Sequence, residues 1–138
     1  WSGVLDQSCF EAFCVAPVAE IVRQVREVHP TVPIIGFPKG AGANYHGYRE
    51  KTGVTALGLD WTVPLAAARE LQREGAVQGN LDPLRLTAGG SALTDGVGAI
   101  LDNLGKGPLV FNLGHGVTPE TLVGHVETMV KTVRSAIG

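Results

Sequence analysis

The residues best suited to chemistry lie in the stretch Asn-Leu-Gly-His-Gly-Val-Thr, residues 112–118, where His115 stands between two glycines. Apolar residues 108–111 come before the stretch and predict a buried strand. The Thr-Pro-Glu sequence at 118–120 predicts a helix start, with a capping hydroxyl, a proline and an acid at the positive end of the dipole. A donor in such a glycine turn can bind an anion, and α/β folds concentrate their binding groups there. This stretch alone leaves a surface-turn histidine as the alternative.

Other polar side chains follow the remaining predicted strands, namely Lys39, Asp60, Asn80 and Asp82. The carboxyl ends of parallel strands meet at one edge of a sheet, so these groups are expected around one ligand pocket. The alternative for Asp60, Asn80 and Asp82 is that they cap helices or pin loops. Asp60 could equally orient His115 or pair with Lys39. Lys39 is expected to bind an anion or to be solvated, and a Schiff-base role is the less favoured option.

The remaining histidines and the two cysteines do not predict a metal site. His29, His46 and His125 lie on helical or exposed segments and are expected at the surface. Cys9 and Cys14 are five positions apart in one helical stretch, which suits neither a disulfide nor a zinc site. Two thiols in a reducing cytosol are the favoured interpretation.

The elements that must position these groups alternate between strands and helices. Apolar runs predict strands at residues 32–37, 55–59, 76–78 and 109–113. Helices are predicted at residues 8–28 with a break at Pro17, 45–52, 64–74, 91–104 with Ser91 as its cap, and 119–135. Such alternation is typical of a parallel sheet with right-handed crossovers. Four units amount to half of an eight-unit barrel of about 250 residues.

A doubly wound sheet is the competing architecture that periodicity leaves open. Neither a G-x-G-x-x-G turn nor a Walker pattern follows any predicted strand. The apolar positions of the first helical region are expected to form one buried stripe of Phe10, Cys14, Val18, Ile21, Val25 and Val28. The last helix is expected to bury Leu122, Val126, Met129 and Val133.

Composition limits the class of protein. The chain has 138 residues, 44% of them hydrophobic and 17% charged, which is enough for one domain with a real core. The net charge of −2 gives no indication of a nucleic-acid or membrane-surface partner. No apolar run reaches the roughly 20 residues that span a bilayer. The start at Trp1, without a methionine or a cleavable leader, is expected for a truncated chain.

Five blocks at the strand ends carry a family resemblance. They are Trp-Ser-Gly at 1–3, Pro-Ile-Ile-Gly-Phe-Pro-Lys at 33–39, Gly-Leu-Asp-Trp at 58–61, Gln-Gly-Asn-Leu-Asp-Pro at 78–83 and Phe-Asn-Leu-Gly-His-Gly at 111–116. In order and spacing they resemble the C-terminal part, about the last two-fifths, of the uroporphyrinogen decarboxylases. The resemblance implies an α/β fold in which residues 1–138 form the C-terminal half of a (β/α)8 TIM-type barrel, with four parallel strands alternating with helices.

The resemblance also implies an activity. Enzymes of this family decarboxylate the four acetate side chains of uroporphyrinogen III to coproporphyrinogen III, without a cofactor, in haem biosynthesis in the cytoplasm. His115 matches the histidine that meets a substrate carboxylate. The family's catalytic aspartate, arginine-rich loop and substrate tyrosine would lie upstream of Trp1, so this chain has no catalytic residue of its own and Tyr45 and Tyr48 have no such role. The implied partners are the missing N-terminal half of the barrel and, once complete, a second subunit.

Two other hypotheses remain. A zinc- and corrinoid-linked methyltransferase uses the same barrel but needs a zinc-binding His/Cys set, for which Cys9 and Cys14 are badly placed. Alternatively, the chain by itself is an inactive half-barrel module. Such a module exposes sheet edges and apolar interior and is expected to self-associate.

Overall fold

The computed structural model describes residues 1–137, which contain one four-stranded parallel sheet. Its strands are β1 (Ile35–Gly36), β2 (Ala56–Gly58), β3 (Val77–Leu81) and β4 (Leu109–Leu113). They pair in chain order, β1-β2-β3-β4, and every pair is parallel. A doubly wound sheet reverses its strand order at a switch point, whereas a barrel does not. The predicted α/β fold with four parallel strands is therefore confirmed, and the strand order is that of a partial barrel.

Helices connect the strands throughout the described residues. They are α1 (Gln7–Phe10), α2 (Ala16–Val28), α3 (Tyr48–Thr52), α4 (Leu65–Arg73), α5 (Pro83–Ala88), α6 (Gly90–Leu104) and α7 (Val123–Ile137). A π-helical turn over Glu11–Val15 joins α1 to α2, and 3-10 turns cover Ser2–Val4 and Gly42–Tyr45. Pro17 lies in the first turn of α2, directly after the π-helical turn, so the break predicted there is a change of helical spacing within a continuous helical backbone. Among residues 1–137, none of these helices combines the length and the apolarity that a membrane crossing requires.

Two predicted helix starts are wrong. The segment after β3 contains two helices, and α5 is opened by Asp82, whose carboxylate accepts a hydrogen bond from the Leu84 amide at 2.9 Å. Ser91 therefore lies inside α6, which begins at Gly90, and it caps nothing. The last helix begins at Val123 instead of residue 119. Local capping signals were present in both places, but the Thr118 hydroxyl contacts Thr87 on α5 and Thr121 instead.

The predicted apolar stripes are also only partly right. In the first helical region Val15 and Val22 are buried, whereas Ile21 and Val28 are exposed. The reason is the π-helical turn, whose wider i→i+5 spacing shifts the phase of the apolar face. In the last helix Val126, Met129 and Val133 pack against the core as predicted. Leu122 precedes α7 and is 63% exposed, so its predicted burial is wrong.

The two faces of the sheet differ sharply in burial. Leu57 and Val77 pair in register and are fully buried beneath the helices. The next residues along β3 and β4, Gln78 and Val110, point the other way, and Val110 is 46% exposed. We call this second side the open face; it consists of Ile35, Phe37, Gly58, Gln78, Val110 and Asn112. A sheet whose strands carry helices on one side and apolar residues on the other requires further structure to cover it.

Candidate functional site

A cleft of about 350 Å³ lies on the open face near the carboxyl ends of the strands. It is lined by Phe37, Gly58, Leu59, Gln78, Asn112, Leu113, His115, Gly116 and Val117. His115 follows β4, and its exposed side chain contributes the cleft's titratable group. The predicted position of His115, in a glycine turn at a strand end facing a cavity, agrees with this geometry.

The imidazole of His115 stacks on the indole of Trp61. The two ring centroids are 6.0 Å apart and the ring planes are inclined by 27°. Trp61 lies shortly after β2, so the loops that follow β2 and β4 meet across the end of β3. His115 does not directly precede a helix, because α7 begins only at Val123. The indole of Trp61, which the sequence reasoning did not consider, is thus the neighbour that orients this side chain.

Three threonine hydroxyls hold the long loop that carries His115. The Oγ1 atom of Thr87 on α5 lies 2.9 Å from that of Thr118 and 3.0 Å from that of Thr121. The Oγ1 atoms of Thr118 and Thr121 are 3.2 Å apart, which closes the triangle. This threonine triangle explains why Thr118 does not cap a helix: its hydroxyl bonds to α5 and to its own loop instead. No spacing rule in the sequence links residues so far apart.

Asp60 is buried, with 1% of its surface exposed, and its carboxylate binds only loop groups. One oxygen accepts hydrogen bonds from the Gly40 amide at 2.8 Å and the Tyr45 hydroxyl at 3.0 Å. The other accepts from the amide and the hydroxyl of Thr62. Burial raises the pKa of Asp60, but the hydrogen bonds from Thr62, Gly40 and Tyr45 outweigh it and leave the pKa below the usual value. The interpretation that Asp60 pins loops is confirmed, and neither contact with His115 nor an ion pair is observed.

Lys39 is held between the two tryptophans of the chain. Its Nζ atom lies 3.7 Å from the ring centroid of Trp1 and 4.9 Å from that of Trp61. The ammonium is buried and has no hydrogen-bond partner within the described residues. Its loop is fixed by Ser2, whose hydroxyl donates to the Lys39 carbonyl at 2.7 Å. The expectation of a solvated lysine is therefore wrong, because the indoles occupy the place of water.

Asn80 and Asp82 serve the architecture of the rim. The amide nitrogen of Asn80 donates to the carbonyl oxygens of Asp60 at 3.2 Å and of Val63 at 2.8 Å. Asn80 is 6% exposed, so these bonds tie the loop after β2 to β3 from inside the protein. Asp82 caps α5. For both residues the loop-pinning or capping interpretation is confirmed.

Comparison with known proteins identifies the family of this chain. A sequence model of the family described as Uroporphyrinogen decarboxylase (URO-D) matches residues 1–136. The chain belongs to the uroporphyrinogen decarboxylase family. A protein of Mesorhizobium japonicum named uroporphyrinogen decarboxylase is 76% identical over 136 residues, which are 99% of this chain and 40% of that protein. Proteins of the same name from Chelativorans sp. and Brucella canis are each 66% identical over 134 residues, 97% of this chain and 39% of their own length.

The chain thus spans about 40% of the length of the curated decarboxylases that it matches. All five blocks that carried the resemblance lie within the matched range. All five meet at one rim: the Trp-Ser-Gly block supports Lys39, the blocks ending β2 and β4 bring Trp61 to His115, and Asn80 of the block ending β3 binds the Asp60 carbonyl. The expectation of membership in the decarboxylase family is confirmed.

The remaining histidines and the cysteines lie outside the cleft. His29 and His46 are exposed, as predicted. His125 is half-buried, with its Nδ1 atom 3.0 Å from the Leu86 carbonyl oxygen, so its predicted surface position is wrong. Cys9 and Cys14 are free thiols. Within residues 1–137, no three His, Cys, Asp or Glu side chains are grouped closely enough to hold a metal ion.

Proposed function

We propose that this chain forms the histidine-bearing side of the active site of a uroporphyrinogen decarboxylase. The complete enzyme would remove carboxyl groups from the four acetate side chains of uroporphyrinogen III and release coproporphyrinogen III. The observation that carries the proposal is the cleft on the open face, in which His115 stands at the carboxyl ends of the strands of a family member. Barrel enzymes build their active sites at that end of the sheet.

The proposed decarboxylation requires few catalytic groups from these residues. Decarboxylation leaves an electron pair that needs a sink, a task that cofactors usually perform. A protonated pyrrole ring is its own sink, so this reaction requires no cofactor. The protein must hold a polyanionic macrocycle and stabilise a transient cation. In our proposal the imidazole of His115 donates a hydrogen bond to one substrate carboxylate.

The open face supports the proposal that the rest of a barrel covers this chain. Ile35, Phe37 and Val110 are each more than 40% exposed there, although they are large and apolar. We propose that the remaining strands of the complete enzyme cover them and supply the catalytic carboxylate and the arginine-rich loop of the family. Family membership supports a homodimer in the cytoplasm as the working form.

The test uses a hybrid enzyme, in which this chain replaces the matching 136 residues of the Mesorhizobium japonicum protein. Coproporphyrinogen formation is measured by chromatography. Replacing His115 with alanine is expected to lower kcat/KM by about 10- to 100-fold, the value of one or two hydrogen bonds to a charged group. The control is His46→Ala, because His46 is also exposed but does not line the cleft. Equal kinetics of the His115 variant and the unmodified hybrid would reject the proposed role.

A further inference from the structure

Lys39, in the loop after β1, makes no ion pair within residues 1–137. The Lys39 ammonium is buried and has no hydrogen-bond partner within residues 1–137. It lies over the indoles of Trp1 and Trp61. The buried carboxylate of Asp60, in the loop after β2, receives its hydrogen bonds from Gly40, Tyr45 and Thr62 and not from Lys39. The site therefore keeps a positive charge in place by aromatic faces alone.

Burying the Lys39 ammonium costs free energy that a lysine with its ammonium in solvent would not lose. A buried ammonium loses its hydration, which is expensive unless other groups replace the water. Indole is the best aromatic partner for a cation, because its ring face carries negative charge. Since the attraction depends on the position of the ring face, the ammonium also restricts where the indole lies. A neutral side chain of similar length would fill the space without this restriction.

The indole of Trp61 contacts His115 as well as Lys39. The imidazole stacks on it at 6.0 Å between centroids, and the ammonium lies 4.9 Å from its centroid. We propose that Lys39 is a positioning residue, which orients the imidazole of His115 through Trp61. Its consequence for turnover rests on the proposed function, but its effect on the imidazole does not. Lys39 thus acts on the site through Trp61.

The backbone around Lys39 has its own supports, so its charge can be removed separately. The Ser2 hydroxyl donates to the carbonyl oxygens of Pro38 at 3.1 Å and Lys39 at 2.7 Å. The Gly40 amide donates to Asp60 at 2.8 Å. Because none of these bonds uses the Lys39 side chain, Lys39→Met should keep the loop and lose only the cation. Lys39→Arg is the matched control, since it keeps a cation that also stacks on indole.

The first measurement follows the imidazole directly in the hybrid enzyme. Carbon-13-labelled histidine gives a ring resonance for His115, which His115→Gln identifies by its disappearance. The Trp61 ring current displaces this resonance. We expect Lys39→Met to shift it toward the position of a free histidine and Lys39→Arg to restore most of the displacement. An unchanged resonance in a folded Lys39→Met protein would overturn the inference.

The second measurement is a double-mutant cycle on kcat/KM. If Lys39 acts through His115, Lys39→Met should cost about three- to tenfold in the presence of His115 and nothing once His115 is alanine. Losses that multiply independently would show that the lysine acts by another route. If Lys39→Met does not fold, Lys39→Gln removes the same charge with a polar side chain and is expected to shift the His115 resonance in the same direction, and an unchanged resonance there would overturn the inference. Normal turnover of His115→Ala would reject the proposed function, whereas the resonance measurement would still decide the role of Lys39.

Discussion

Gly114 lies directly against the backbone of Trp61. A β-carbon on Gly114 would collide with the Trp61 amide nitrogen and stand 2.9 Å from the carbonyl carbon of Asp60. The Gly114 amide also donates to the Leu81 carbonyl at 2.7 Å, so this residue links the ends of β2, β3 and β4. The close approach brings the following imidazole onto the indole. A glycine is required at 114 for packing between two loops and not for a left-handed turn.

The two glycines that flank His115 should respond differently to alanine. Gly114→Ala is expected to destabilise the hybrid enzyme by about 1–3 kcal/mol, because the methyl group meets backbone that cannot move aside. Gly116→Ala should change the free energy of unfolding by less than about 0.5 kcal/mol, because nothing lies within 4 Å of its β-carbon position. Urea denaturation measures both. A larger loss for Gly116→Ala than for Gly114→Ala would contradict the close packing of Gly114 against Trp61.

Gly116→Ala also reports on the ligand. Gly116 lines the cleft, and the space beside it is open in this structure. If the macrocycle passes close to the backbone there, the added methyl group raises KM while stability stays unchanged. An unaltered KM would show that the substrate does not approach at this point.

Because of Asp60, the free energy of unfolding should decrease as the pH becomes acidic. Its pKa is lowered in the folded state, so an unfolded chain binds the proton first as pH falls below the ordinary value of 3.8. The stabilisation is therefore complete above that value and is lost as pH falls through the lower, folded pKa. Asp60→Asn is expected to cost about 1–3 kcal/mol for each donor left unpaired at neutral pH. Its deficit relative to the unmodified hybrid should shrink at acid pH.

Urea titrations of the hybrid enzyme at a series of pH values test this linkage. The exposed Asp102 on α6 provides the matched control, because Asp102→Asn makes the same chemical change outside any loop network. A deficit for Asp60→Asn that is independent of pH would show that the carboxylate charge does not contribute.

The threonine triangle should control the mobility of the loop that carries His115. Thr118→Val removes one hydroxyl but leaves Thr87 and Thr121 in contact at 3.0 Å. We expect a loss of about 0.5–1.5 kcal/mol. Hydrogen exchange should also become faster at the Thr121 amide, which donates to the Thr118 carbonyl at 3.0 Å. The control is Thr128→Val, because the Thr128 hydroxyl bonds only to the Gly124 carbonyl within α7. Equal exchange rates at the Thr121 amide in both variants would show that the triangle does not restrain the loop.

The chain on its own should self-associate. Its sheet ends at β1 and β4, both open edges, and its open face exposes Ile35, Phe37 and Val110. Unpaired edges and exposed apolar surface favour pairing with another chain. Light scattering after gel filtration should therefore detect oligomers of residues 1–138. The substitution Val110→Lys should reduce them, and a monodisperse monomer of the unmodified chain would contradict the prediction.

Local sequence determined where the strands lie and that they share one sheet, because short apolar runs bounded by glycine and proline can satisfy burial in few other ways. Strand β4 was predicted at its observed residues, and the helix opened by Asp82 followed from a cap that needs only neighbouring backbone. The rim position of His115 followed from the same logic, since parallel strands end on one side.

Only the tertiary structure decided what surrounds that imidazole. The stack on Trp61, the ammonium held by two indoles and the threonine triangle each join residues from different loops. The predicted start of α7 was wrong for the same reason, since the Thr118 hydroxyl has a partner on α5. Periodicity and capping rules describe forces that act within a few residues. The orientation of a side chain at a strand end depends on contacts between segments that meet only after the sheet has formed.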